Sequence, residues 1–141
     1  MHVEQVSIFL ENKPGRLAEV TQALSDASIN IKALSLADTS EFGILRIIFN
    51  SPDMARAALK KHGFTVGQTD VVAVEVPHTP GALNSIVRLM GEANVNIEYM
   101  YGFPCKCDNA VMIFRFDKLG EALTLLRKNN FRILSPEEVY G

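Results

Sequence analysis

The sequence predicts an α+β chain of two tandem ferredoxin-like units, each running strand–helix–strand–strand–helix–strand, with antiparallel sheets and both helices on one face. Three observations carry that fold class. First, the chain repeats: Pro14-Gly15-Arg16-Leu17 recurs as Pro80-Gly81-Ala82-Leu83, an offset of 66 that also carries Val6 onto Val72, Ala27 onto Ala93 and Ile29-Asn30-Ile31 onto Val95-Asn96-Ile97. Second, one extra residue enters near 103–108, after which an offset of 67 carries Phe49 onto Phe116, Leu59 onto Leu126 and Phe64 onto Phe131. Third, the hydrophobic period switches between two and 3.6 in the same order in both copies. The division falls near Gly67–Thr69, giving expected domains at 1–68 and 69–141.

Each element follows from its residues. Val6, Ile8 and Leu10 alternate with Ser7 and Phe9, as Val72, Val74 and Val76 alternate with Ala73 and Glu75, which is strand period. Leu17, Val20, Leu24 and Ala27 recur at helical spacing, matched by Leu83, Ile86, Met90 and Ala93. Proline and glycine precede each of these helices, where the first amides have no partner inside the helix. Two β-rich runs come next, Ile29–Ala37 with Ile44–Phe49, and Val95–Phe103 with Ala110–Phe116. Second helices are expected over Pro52–Lys61, with Ala55, Ala58 and Leu59 inward, and over Leu119–Lys128, with Ala122, Leu125 and Leu126 inward. Short strands at Phe64–Val66 and Phe131–Leu134 close the copies. Ser135-Pro136-Glu137-Glu138 has the form of a capping box, so the tail should make one helical turn. In the third strands Ile44 and Ile48, and Val111 and Ile113, lie on the side away from the helices together with Arg46 and Arg115. That much aliphatic surface calls for cover by another sheet or a second chain.

Composition narrows the function classes. The 141 residues hold 14 Lys+Arg against 16 Asp+Glu, net −2, with no basic stretch to grip nucleic acid. A hydrophobic fraction of 48% is too high for disorder. The apolar runs are short and broken by charge, so none is expected to span a bilayer. Glu4 and Gln5 interrupt any apolar leader segment. Two cysteines are too few for a disulfide framework and point to a reducing compartment. The expectation is a soluble cytoplasmic protein that engages neither nucleic acid nor membrane.

The candidate site is the loop between first strand and first helix. It reads Glu11-Asn12-Lys13-Pro14-Gly15-Arg16-Leu17 in copy one and Pro77-His78-Thr79-Pro80-Gly81-Ala82-Leu83 in copy two. A helix start offers free amide donors at a positive dipole end, which suits a carboxylate. Glycine lets the backbone approach a ligand with no Cβ in the way. Asn12 and His78 add polar side chains, and Asn30 and Asn96 open the second strands. The same residue types also serve as plain turn and cap punctuation.

Pro-Gly-x-Leu after a first strand, with Asn-Ile opening the second, in a βαββαβ unit, resembles the ACT domain family. The resemblance covers both copies, apart from the tail. It implies a regulatory role: such domains bind small ligands, most often amino acids, at the boundary between two units, touching the first loop of one and the second strand of its neighbour. On that resemblance Asn12 matches the polar loop position, Gly15 and Leu17 the helix start, and Asn30 the strand opening. Gly81, Leu83 and Asn96 match in copy two, while His78 departs from the usual Asn or Asp. The resemblance therefore implies a stand-alone amino-acid sensor with no catalytic residues and no cofactor. It would hold its ligand with Asn12, Lys13, Pro14, Gly15, Arg16, Leu17 and Asn30, or with His78, Thr79, Pro80, Gly81, Ala82, Leu83 and Asn96. Leu36 to Thr39 would set preference. A regulated metabolic enzyme or transporter is the implied partner, and the apolar surface of Ile44, Ile48, Val111 and Ile113 adds the expectation of a homodimer.

Other residues carry blander expectations. Cys105 and Cys107 make a loop thiol pair, since two ligands do not complete a metal site. His62 caps a helix end, and His2 belongs to a frayed terminus. Two other functions share this topology. An RNA-binding module would need a basic, aromatic-bearing central strand, whereas the third strand reads Gly43-Ile44-Leu45-Arg46-Ile47-Ile48-Phe49. A small acylphosphatase-like enzyme would need an arginine cradle, for which Arg16 stands alone and Ala82 replaces it in copy two.

Overall fold

Alternating Val6, Ile8 and Leu10 build the first strand of a computed structural model that describes residues 2–39, 41–105 and 108–141. The chain divides into two compact units, Glu4–Thr69 with Tyr140–Gly141, and Asp70–Val139 with His2 and Val3. Each is an α+β unit of antiparallel strands and helices.

In the first unit the order is β1 (Val3–Glu11), α1 (Arg16–Asp26), β2 (Ile31–Asp38), β3 (Phe42–Phe49) and α2 (Pro52–Lys61). β3 lies between β1 and β2, with Leu45 opposite both Ile8 and Leu36, and Gly43 opposite both Leu10 and Asp38. This register places the end of β1 and the end of β2 beside the start of β3. Val6, Ile8, Leu10, Leu45, Ile47 and Phe49 turn one sheet face toward Val20 and Leu24 of α1 and Ala55 and Leu59 of α2. Burying such a side chain contributes about 1.5–3 kcal/mol.

β4 (Thr65–Val76) corrects the sequence reading. Two strands were expected, closing one copy and opening the next, but residues 65–76 form one continuous strand. The segment between them, Gly67 to Asp70, has no proline and no Asn-Gly or Asp-Gly pair, and an isolated glycine does not break an extended run.

The second unit continues with α3 (Ala82–Glu92), β5 (Ile97–Phe103), β6 (Ala110–Phe116), α4 (Leu119–Lys128), β7 (Arg132–Ile133) and α5 (Pro136–Tyr140). β6 pairs with β4 and β5, and β7 pairs with β4. Val72, Val74, Val76, Phe114 and Phe116 pack on Ile86, Met90, Ala122 and Leu126, with the two phenylalanine rings stacked at 5.4 Å. α5 opens on a reciprocal capping box: the Glu138 amide donates to Ser135 Oγ at 3.2 Å and the Ser135 amide to Glu138 Oε1 at 3.1 Å.

Several details differ from the sequence pattern. Leu123 is buried in α4 where Leu125 was expected, and Leu125 is only partly covered. Leu17 and Leu83 share the helical period of the core yet stay 38% exposed. Both sit in the first turn of their helices. On the side away from the helices Ile48, Val111 and Ile113 are buried, while Phe9 and Phe42 are 53% and 56% exposed. Among the described residues no helix is long and apolar enough to cross a membrane.

Candidate functional site

The two Pro-Gly turns have the same backbone. Gly15 and Gly81 are the N-caps of α1 and α3, with φ of 88° and 86°, the left-handed region that glycine enters without a Cβ penalty. Neither helix has a side-chain cap. The Arg16 amide reaches the Lys13 carbonyl at 3.4 Å and the Ala82 amide the Thr79 carbonyl at 3.2 Å. The next two amides of each first turn have no carbonyl to meet inside the helix and face outward as donors.

The surroundings of the two turns differ. In the first unit Glu11 is paired with Lys13 at 2.9 Å and approached by Arg16 at 3.6 Å, and Arg16 also meets Glu19 at 2.9 Å. The Lys13 hydrogen bond, then its charge and that of Arg16, hold the Glu11 carboxyl below the ordinary glutamate range. Asn12 is tied to the β2–β3 turn: its backbone amide donates to the Glu41 carbonyl at 2.9 Å and its Nδ2 to the Thr39 carbonyl at 3.2 Å. A small cavity of about 70 Å³ remains, lined by Glu11, Asn12, Lys13, Arg16 and Leu17 from the loop and by Leu36, Asp38 and Gly43 across from it.

In the second unit His78 lines a pocket of about 330 Å³ with Gly102, Phe103 and Cys105 of the β5 side and Asp108 to Met112 of the β6 side. The His78 ring makes no hydrogen bond or ion pair among the described residues.

The structure brings the loop residues together with the far ends of the second strands. The opening asparagines are elsewhere in their own units. The Asn30 amide donates to Asn50 Oδ1 at 3.2 Å, and the Asn96 amide to Asp117 Oδ1 at 2.8 Å. Asn30 is six residues from Leu36, roughly 20 Å along β2 at strand rise. Register accounts for the difference: β1 ends where β2 ends, so a loop after β1 meets Leu36 and Asp38 and not Asn30. Leu36 and Asp38 fall within the stretch expected to set preference, whereas Gly43, Gly102 and Ala110 were absent from the sequence-based candidates, and antiparallel pairing of the runs was the signal that could have found them.

A larger cavity, about 580 Å³, lies away from these loops, between α1 and the end of α2. Its polar groups are already engaged. Glu19 meets Arg16, Asp26 accepts from Gln22 at 2.8 Å, and His62 Nδ1 sits 2.9 Å from the Ala58 carbonyl, the capping role expected of it. The matching groove of the second unit, about 350 Å³, is similar: Asn129 donates to the Leu125 carbonyl at 2.8 Å and Arg88 lies 3.7 Å from Glu92.

Of the remaining candidates, Arg115 pairs with Glu98 at 3.2 Å and donates to the Asp70 carbonyl, and His2 lies 3.5 Å from Asp70. Cys105 is disulfide-bonded, which corrects the reading of it as a free thiol. Cys107 lies outside the described residues. Among the described residues no group of three or more His, Cys, Asp or Glu is placed to hold a metal.

A family model described as an ACT domain pair matches residues 1–140. The chain belongs to the ACT domain pair family. It is similar to the crystal structure of protein BT0572 from Bacteroides thetaiotaomicron, at 40% identity and a TM-score of 0.93, over 99% of this chain and 96% of that one. It also resembles the regulatory subunit of aspartate kinase from Thermus thermophilus, at 18% identity and a TM-score of 0.62, over 92% of this chain and 93% of that one. The regulatory subunit from Thermus flavus gives 18%, 0.63, and 88% of each chain. At 18% identity the two kinase subunits bear on the fold of this ACT pair. Comparison with curated proteins gives no match.

Proposed function

We propose that this ACT domain pair is an amino-acid sensor, with no reaction of its own, that reports ligand to a metabolic enzyme or transporter. Its working domains are 1–68 and 69–141, and its place of work is the cytoplasm. The observation that carries the reading is the pair of left-handed glycine caps, Gly15 and Gly81, on helices with no side-chain cap. Two uncapped first turns in register offer N–H donors to a carboxylate. The loops 12–17 and 78–83 hold the carboxylate end. The ammonium end needs acceptors, which strand carbonyls or the side-chain oxygens of Asn30 and Asn96 from a neighbouring unit supply. Membership of a family that pairs two ACT domains, and the likeness in fold to kinase regulatory subunits, support a regulatory role. The exposed Phe9 and Phe42 support assembly as a homodimer, since clustered apolar surface marks an interaction site.

A thermal-shift screen of the free amino acids tests this, with a single-stranded oligonucleotide and an acyl-phosphate hydrolysis assay as controls. At a hundred times its dissociation constant a ligand stabilises the protein by about 2.7 kcal/mol, which a melting curve resolves easily. A shift with one amino acid class and silence in both controls is expected. No shift with any amino acid, or hydrolysis abolished by Arg16→Ala, overturns the reading.

A further inference from the structure

We propose that the second unit carries the side-chain pocket of this sensor, and that it selects an amino acid with an uncharged, apolar side chain. This choice presupposes the amino-acid reading above and adds to it which loop binds and what class of ligand it takes.

The repeat offsets lay one loop pocket over the other. Asn12, Leu36 and Gly43 of the first become His78, Gly102 and Ala110 of the second. Leu36 lies over Gly43, where an added Cβ would stand 3.4 Å from Leu36 Cδ1, so the leucine side chain fills the slot. Gly102 has no such side chain, and a Cβ built on it would meet nothing within 4 Å. The cavities follow, about 70 Å³ against about 330 Å³. The first is about two water molecules in size. The second reaches the range, roughly 300–1,000 Å³, in which small-molecule sites fall.

Charge diverges in the same direction. Glu11, Lys13, Arg16 and Asp38 of the first loop pocket become Pro77, Thr79, Ala82 and Pro104. All four charges are gone. Register puts Gly102, Met112 and Ala110 on the same sheet side as Val74 and Val76, so the wall beneath the His78 loop is apolar. With His78 and Asp108 taken by the ligand's own carboxylate and ammonium, a charged ligand side chain would find no partner on that wall. His78 and Asp108 line the pocket with no hydrogen-bond or ion-pair partner among the described residues, and they match the carboxylate and ammonium of a zwitterion. The first loop, by contrast, spends its polar groups on itself through Glu11–Lys13 and Asn12–Thr39.

Calorimetric titration of the full chain with L-leucine, L-methionine and L-phenylalanine, against L-lysine and L-aspartate, tests the assignment. The variants are Gly102→Ala and Gly102→Leu, the latter copying the first unit's side chain into the open position. The apolar set should bind, and the charged pair should bind roughly tenfold or more weakly. Gly102→Leu should lose roughly tenfold or more, the scale on which pockets distinguish a methylene or two, with Gly102→Ala between. In the wild type, which needs no variant to fold, the Met112 methyl resonance should move on titration. Full affinity in a folded Gly102→Leu protein, preference for lysine or aspartate, or a Met112 methyl that stays still while ligand binds would overturn the pocket and leave the amino-acid reading standing. Silence with every amino acid overturns that reading and this assignment with it.

Discussion

Replacing Gly81 by alanine separates backbone strain from contact. Gly81 has φ of 86°, and a Cβ placed there would meet nothing within 4 Å, so the substitution adds no clash and only a conformational cost. Holding an L-residue in the left-handed region costs about 1–2 kcal/mol. Asparagine enters that region more readily and should cost less. The unit around it, chiefly Asp70–Val139, is of the size in which each kcal/mol lowers the melting midpoint by about 4–8 °C. Thermal and urea denaturation of wild type, Gly81→Ala and Gly81→Asn measure this, with Gly102→Ala as the control. Gly102 also has open space around a Cβ but no positive φ, so alanine there should leave stability unchanged or slightly raised. The expected order of stability is Gly102→Ala, wild type, Gly81→Asn, Gly81→Ala. A Gly81→Ala protein as stable as wild type, or a Gly102→Ala protein as damaged as Gly81→Ala, would refute the claim that the cap conformation fixes glycine. The result also governs how binding data are read. A bulky residue at Gly15 or Gly81 does not test ligand approach by itself, because φ near 90° at both makes such variants strained whatever the ligand does.

Three further outcomes are expected. Phe114→Ala removes a fully buried ring stacked on Phe116 and should cost about 3–5 kcal/mol, read by urea denaturation as a lower midpoint with an unchanged slope. The Glu138 carboxyl is held below its ordinary 4.5, first by the Ser135 backbone amide and then by the Arg132 side chain. Because the folded value is the lower one, its contribution is complete above 4.5 and is lost as pH falls through the folded value; the Ser135 amide resonance should therefore hold steady down to about that pH and move below it. Static light scattering at micromolar concentration and physiological salt should give the mass of a dimer, and a monomer mass would remove the assembly proposed from Phe9 and Phe42.

The elements were legible because hydrophobic period and repeat agree. A helix over Pro52–Lys61 and another over Leu119–Lys128 follow from spacing alone, since a wrong period would put Leu59 or Leu126 in water. The left-handed turns show the same consistency in a less visible form. Ser28 and Asn94, and Gly63 and Asn130, are repeat-equivalent pairs that differ in residue and share positive φ. There the backbone repeats more faithfully than the side chains. What was not legible depends on pairing. No local signal says that Thr65–Val76 runs unbroken, or that Leu17 and Leu83 stay partly exposed while obeying core spacing.

The site divides along the same line. The Pro-Gly turns announce themselves locally, because a left-handed cap admits few residues. The opposite wall does not, because Asn30 and Leu36 lie on one strand and only register decides which of them stands beside the loop. Once register is fixed, the divergence between repeats becomes physical. Leu36 over Gly43 closes one slot, and Gly102 beside Ala110 leaves the other open. Duplication supplies two helix starts with the same donors, and the leucine-to-glycine difference across from them opens space in the second loop pocket that Leu36 occupies in the first. A pair built this way can keep one loop latched by its own ion pairs for structure while the other answers to ligand. The latch of Glu11, Lys13 and Arg16 is exposed and therefore sensitive to salt, whereas the apolar wall of Gly102, Ala110 and Met112 is not. Ligand affinity should accordingly change less between low and high salt if the second loop binds, through the His78 and Asp108 contacts alone, than if the first one does, where the latch of Glu11, Lys13 and Arg16 responds as well.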